Sequence, residues 1–157
     1  GRELWVHETT NGSTWQVADI WSGSDSGSQN CNVCNIAVMG TRLFFRANDG
    51  NTGDELWTHE STNNSTWQIA DLWGANSGGA LYITVMDTRV FFMASDGNGP
   101  RLWVHDKANG ITWQLVEELI NTKYFTQIGG RLYFHANDGY SGEELYMMEI
   151  EHTITYS

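Results

Sequence analysis

The chain has 157 residues, enough for one domain with a proper core, and carries 19 acidic against 8 basic side chains for a net charge of −11. That balance argues against nucleic acid and anionic membrane, which need clustered cations, and no apolar run reaches the roughly 20 residues of a membrane span. Eight Trp, six Tyr and six Phe, beside 17 Gly and a single Pro, favour strands joined by tight turns over helices.

The chain opens on Gly1 with no visible signal peptide, which reads as a processed or excised piece whose targeting segment is gone or lay upstream. Leu4 to Glu8 and Thr14 to Ile20 then flank Thr9-Thr10-Asn11-Gly12-Ser13. Asn-Gly between such runs signals a hairpin, because both residues tolerate positive φ. A polar loop from Trp21 to Asn35 follows and holds Cys31-Asn-Val-Cys34. A local disulfide in an oxidising compartment, free thiols, and a metal or redox pair are all open for these two cysteines. Next come Ile36 to Met39, a turn at Gly40, and Arg42 to Ala47. Asn48-Asp49-Gly50-Asn51-Thr52-Gly53 leads into a second Glu-Leu-Trp, and the whole pattern begins again.

Copies start at Glu3, Glu55, Arg101 and Glu144, and between them stand TRLFFRANDG, TRVFFMASDG and GRLYFHANDG. A period of about 45 residues with short apolar strands inside it marks a repeat architecture. Leu43-Phe44-Phe45, Val90-Phe91-Phe92 and Leu132-Tyr133-Phe134 put large side chains on both faces of a strand. A sheet wetted on one side alternates, whereas a sheet buried on both sides need not. We therefore expect an all-β chain of β-propeller blades, each of four antiparallel strands, about three and a half blades in all. The half blade is expected at residues 1–20 and the blades at approximately 36–72, 81–118 and 124–157, together one repeat domain. Three blades do not close an ordinary ring. Open ends would leave edges and an aromatic face uncovered, so the expected partners are copies of the chain itself or the rest of a longer repeat array.

Glu3-Leu4-Trp5, Glu55-Leu56-Trp57 and Glu144-Leu145-Tyr146, with Arg101-Leu102-Trp103 as a variant, resemble the ELWxxDGT repeat of large secreted and surface-anchored microbial proteins. Asp49-Gly50, Asp96-Gly97 and Asp138-Gly139 fit the same pattern, and the likeness covers nearly the whole chain. It implies a propeller fold and an extracellular or cell-surface setting. The hairpin Ser61 to Trp67 is similar to the Asp-box of sialidase-like propellers, with Asn where that motif has Asp and one residue fewer.

Trp5, Trp57 and Trp103 share one register, and two readings apply. They pack blade on blade, or they form equivalent sugar-stacking clefts. His7, His59 and His105 also recur, each next to Glu8, Glu60 or Asp106, and are expected to bond to that carboxylate. Asp49, Asn51 and Asp54, then Asp96 and Asn98, then Asp138 and Glu143 alternate oxygen side chains with Gly. That is the skeleton of a calcium loop without the terminal Glu of an EF-hand, and plain turn chemistry accounts for the same residues. No cofactor is required, and calcium is the candidate ion. Arg46, Met93 and His135 break the repeat at one register position, which marks Arg46 and His135 as candidate contacts to a channel or partner. Arg42, Arg89 and Arg131 share a register, so a structural role is favoured over a sialidase-like arginine cluster. Asn11, Asn63 and Asn64 each begin an N-x-[ST] sequon on a hairpin tip and are candidate glycosylation sites. The expected function is a non-catalytic extracellular module for binding or adhesion to glycan or protein. The alternatives are a structural subunit that self-assembles through blades or edge strands, and a fragment of a glycan hydrolase.

Overall fold

The computed structural model describes residues 3–22 and 33–149, with the backbone alone at Val33 and Cys34. The pairing of Cys31 with Cys34, and residues 150–157 of the last expected blade, lie outside the described residues. Strands β1 (Trp5–Glu8) and β2 (Ser13–Gln16) form a hairpin. One sheet holds β3 (Val33–Met39), β4 (Arg42–Asn48), β5 (Asp54–Glu60) and β6 (Ser65–Ala70). A second holds β7 (Leu81–Met86), β8 (Arg89–Ala94), β9 (Arg101–Asp106) and β10 (Ile111–Val116). A third holds β11 (Ile120–Ile128), β12 (Arg131–Asn137) and β13 (Glu143–Glu149). Every pair is antiparallel, strands neighbour one another in chain order, and no described residue is helical.

The expected half blade is the two-stranded β1–β2 sheet, and two sheets have the expected four strands. The third has three described strands, so four strands are not present in every blade among the described residues. Trp5 and Trp15 align with Trp57 and Trp67, so β1 and β2 correspond to the outer strands β5 and β6, and no inner pair precedes them among the described residues. The described residues form a stack of wedges, not a closed ring.

The wedges bury each other's faces. β3 lies beside β7 and β7 beside β11, so the first strand of each sheet is innermost. Leu4, Val17 and Ile20 of the hairpin pack on Phe45, Ala47 and Trp57. Phe44 and Leu56 pack on Val90, Phe92 and Trp103. Phe91, Leu102 and Val104 pack on Phe125, Leu132 and Phe134. Consecutive side chains of a strand point to opposite faces. Phe44 and Phe45 therefore enter different cores, and both are fully buried. This double burial is why the strands read without alternation, and each buried ring contributes roughly 1.5–3 kcal/mol.

The third set of Trp residues closes the turns. At Gly97, with φ of 103°, an added Cβ would lie 2.9 Å from the Trp73 indole. Trp21 stands over Gly50 in the same way. Each indole thus covers the Asp-Gly turn of the next wedge. The third repeat has no Trp at that position, and Gly139 has nothing near it.

Candidate binding face

The repeat-defining charges are structural. Arg42 Nε donates to Glu60 Oε2 at 3.0 Å, Arg89 Nε to Asp106 Oδ2 at 3.3 Å, and Arg131 pairs with Glu149. Hydrogen bonds from Thr41 and Arg42 hold the Glu60 carboxyl down at about 2. The expected His–carboxylate bonds do not form. His7, His59 and His105 bond through Nδ1 to the Oγ1 of Thr14, Thr66 and Thr112, their partners across the hairpin. The physical reason is strand geometry: a neighbouring residue in a strand faces the other way, whereas a cross-strand partner faces the same way.

The glutamate of the Glu-Leu-Trp signature has a role that sequence reading did not assign. Glu3 accepts hydrogen bonds from the N–H groups of Ile20 and Trp21. Glu55 accepts from Gly78 N–H at 2.9 Å and from Leu72 N–H at 3.4 Å. Each carboxylate ties down the loop that leaves its own sheet for the next. Glu55 is buried, and burial pushes its carboxyl up to about 7 against the pull of those two N–H donors. The spacing from Glu3 to Ile20 and from Glu55 to Leu72 is the same in sequence, and that was the available signal.

The calcium-loop candidates face backbone donors. Asp49 Oδ1 accepts from the N–H groups of Asn51 and Thr52, Asp96 Oδ1 from Asn98, and Asp138 Oδ1 from Tyr140 and Ser141. Asp54 is paired with Arg46, and Glu143 with Lys123 at 2.7 Å. Among the described residues no three His, Cys, Asp or Glu side chains gather as a metal site. Asn11, Asn63 and Asn64 are all exposed on hairpin tips. Trp57 and Trp103 are packed between sheets, while Trp5 presents its ring to solvent at 58 % exposure.

The unusual surface lies on the far side of the third sheet. Leu56 and Leu102 are buried at 1 % and 0 %, yet their register equivalent Leu145 is 67 % exposed. Ile128 stands where Met39 and Met86 are buried, and Met147 where Thr58 and Val104 are buried. Ile128 and Met147 are 63 % and 48 % exposed. These residues, with Tyr133 in the place of Phe44 and Phe91, form an apolar face with no wedge upon it among the described residues. Two ion pairs flank it, Lys123 with Glu143 and Arg131 with Glu149. An apolar centre with a polar rim is the anatomy of an interface.

His135 adjoins this face and pairs across the strands with Leu145. Its ring stands perpendicular to that of Tyr124 at 5.6 Å, and Lys123 Nζ lies 5.6 Å from the same tyrosine ring. Tyr124 sits in a bulge with φ of 58°, and Asn35 and Tyr82 take the same conformation in the bulges of β3 and β7. A tyrosine in the left-handed region is strained, and such strain collects where a bulge re-aims a side chain. Tyr82 and Tyr124 thereby meet at 5.0 Å along the inner seam. Arg46, Met93 and His135 pair with Cys34, Leu81 and Lys123, directly beside these bulges. The repeat-breaking positions are thus those next to the strained seam.

No protein-family model and no curated protein matches the sequence. Among solved structures the chain is similar to TolB from Acinetobacter baumannii, at 14% identity and a TM-score of 0.62 over 93% of this chain. It spans 35% of that TolB chain. It also aligns to the tricorn protease at 13% identity over 95% of this chain and 20% of that one, with a TM-score of 0.36, too low to bear on the fold. The TolB likeness supports a β-propeller-like arrangement of the wedges.

Proposed function

We propose that the chain is a non-catalytic repeat module of an extracellular or cell-surface protein, and that it binds a protein partner through the open face of its third sheet. The observation that carries this reading is the exposure of Leu145 at a position where the other three copies bury leucine, as Leu4, Leu56 and Leu102. Aliphatic side chains dominate the face, which favours a protein over a glycan, because sugars are gripped by flat aromatic rings and hydrogen bonds. The acidic surface and the ELWxxDGT-like signature support the extracellular setting. The test replaces Leu145 with a photo-crosslinking amino acid in the native setting and identifies adducts by mass spectrometry. A defined protein adduct is expected. Labelling no greater than that of a probe at the exposed polar Ser141 would defeat the reading.

A second reading is self-assembly of wedges head to tail. Trp5 favours it, because its counterparts Trp57 and Trp103 pack on the preceding sheet whereas Trp5 faces solvent. Adducts from position 145 to a second copy of the chain would select it.

A further inference from the structure

Residues 71–80 carry the chain from β6 of the first sheet to β7 of the second. Within them Gly78 bridges the two wedges. Its N–H donates to Glu55 Oε1 on β5 at 2.9 Å, and its carbonyl accepts from Ser95 N–H, just past β8, at 2.8 Å. Leu72 N–H donates to the other oxygen of Glu55, Oε2, at 3.4 Å. Asp54 holds the same segment: its carbonyl accepts from Gly79 N–H at 2.7 Å, and its Oδ2 accepts from the Ser77 hydroxyl at 3.0 Å. Leu72 and Ala80, near the two ends of the segment, pack into the core between the sheets, and Trp73 covers Gly97 of the second sheet.

The surroundings of Glu55 disfavour its ionised form more than the two N–H groups favour it. The residue is 1 % exposed. Gly78 is pressed against it, since an added Cβ there would fall 2.5 Å from Oε1. Its charged neighbours are Asp71 on the segment and Asp54 on its own strand, both acidic. Arg46 of β4 pairs with Asp54, and among the described residues no cation pairs with Glu55. The second sheet meets Gly78 through Ser95, which is uncharged. A shorter bond at one oxygen and a longer one at the other suits a neutral carboxyl, in which the carbonyl oxygen accepts and the hydroxyl oxygen carries the proton. Burial, the largest cause, pushes the group up to about 7. Among the described residues this arrangement belongs to the middle joint alone. Arg101 stands at the place of Glu55 in the third copy and Ile120 at that of Gly78, while Glu3 is only partly buried.

We propose that Glu55 is a pH-operated latch on the joint between the first two four-stranded sheets. As a neutral acid it stays buried and holds residues 71–80 down. As a carboxylate it is drawn toward water, and the segment lifts. Gly78 then leaves Ser95, and Leu72 and the Gly97 turn are uncovered while both sheets stay paired. Between the ordinary value of 4.5 in the open segment and about 7 in the closed one, only the open form has lost the proton. Closure therefore weakens as pH rises through that window and is constant above it. The joint lies in mid-stack, so the latch is independent of the reading of the Leu145 face.

The test is amide hydrogen exchange of the intact nitrogen-15-labelled chain, followed by NMR from about pH 4.5 to about 8 and divided by the intrinsic rate at each pH. Protection at Leu72, Gly78 and Ser95 should fall by up to about tenfold per pH unit until about pH 7, then level off. It should stay at least about tenfold below that of the β4–β5 ladder throughout, as local opening requires. Glu55→Gln, which keeps an acceptor and cannot ionise, should abolish the fall. Asp71→Asn changes an exposed residue and removes a repelling charge, so it should raise protection at the same three amides near neutral pH, and it serves where Glu55→Gln does not fold. Protection independent of pH in the natural chain, protection equal to that of the ladder, an undiminished fall in Glu55→Gln, or no gain in Asp71→Asn would each overturn the proposal.

Discussion

Single side chains in this protein are chosen by what their two neighbours across space require. Glu55 is the sharpest case, a carboxyl buried beneath the loop that it holds through the N–H groups of Gly78 and Leu72. Its folded pKa is raised from 4.5 to about 7. The folded state therefore holds more protons than the unfolded state between those values, and stability falls as pH rises through that window. Melting temperature should decline from about pH 4.5 to above pH 7 in the natural protein, and the decline should be smaller in Glu55→Gln. Parallel slopes for the two proteins across that range would show that Glu55 does not titrate this way. The histidines make the complementary point. Adjacency in sequence suggested carboxylate partners, but the pleat turned each ring toward a threonine on the next strand.

At the level of the strand and its turns, the Asp-Gly segments are legible as turns from composition, and the structure adds what each glycine faces. Gly53 has φ of 75°, and an added Cβ would fall 2.4 Å from the backbone oxygen of Asn76. Gly139 has φ of 83° with nothing near it. Gly139→Ala should cost about 1–2 kcal/mol, from the left-handed backbone alone. Gly53→Ala should cost about 3 kcal/mol or more, because strain and collision with fixed backbone combine. Urea unfolding of the two variants measures the difference, and equal losses would mean that the Asn76 loop yields. The bulges of β7 and β11 were not legible, because nothing in Tyr82 or Tyr124 announces a positive φ, and only Asn35 in β3 is of a type that takes it readily. Only the packing of inner strands side by side demands the kink.

Across the whole stack, one register position changes meaning with its place in the array. Leu102 is sealed between two sheets, and Leu145 is exposed with no sheet upon it among the described residues. Leu102→Ala should cost about 2–5 kcal/mol by leaving a cavity. Leu145→Ala should change stability by less than about 0.5 kcal/mol. Thermal or urea unfolding reads both, and a large loss at position 145 would show that the face is covered in solution. The repeat, the hairpin turns and the burial of both strand faces follow from residue order alone, because each depends on contacts within one copy or on the spacing between copies. Which copies find a neighbour does not follow from it. Leu56, Leu102 and Leu145 occupy the same place in their repeats, and only the three-dimensional order of the wedges decides which of them meets another sheet among the described residues and which does not.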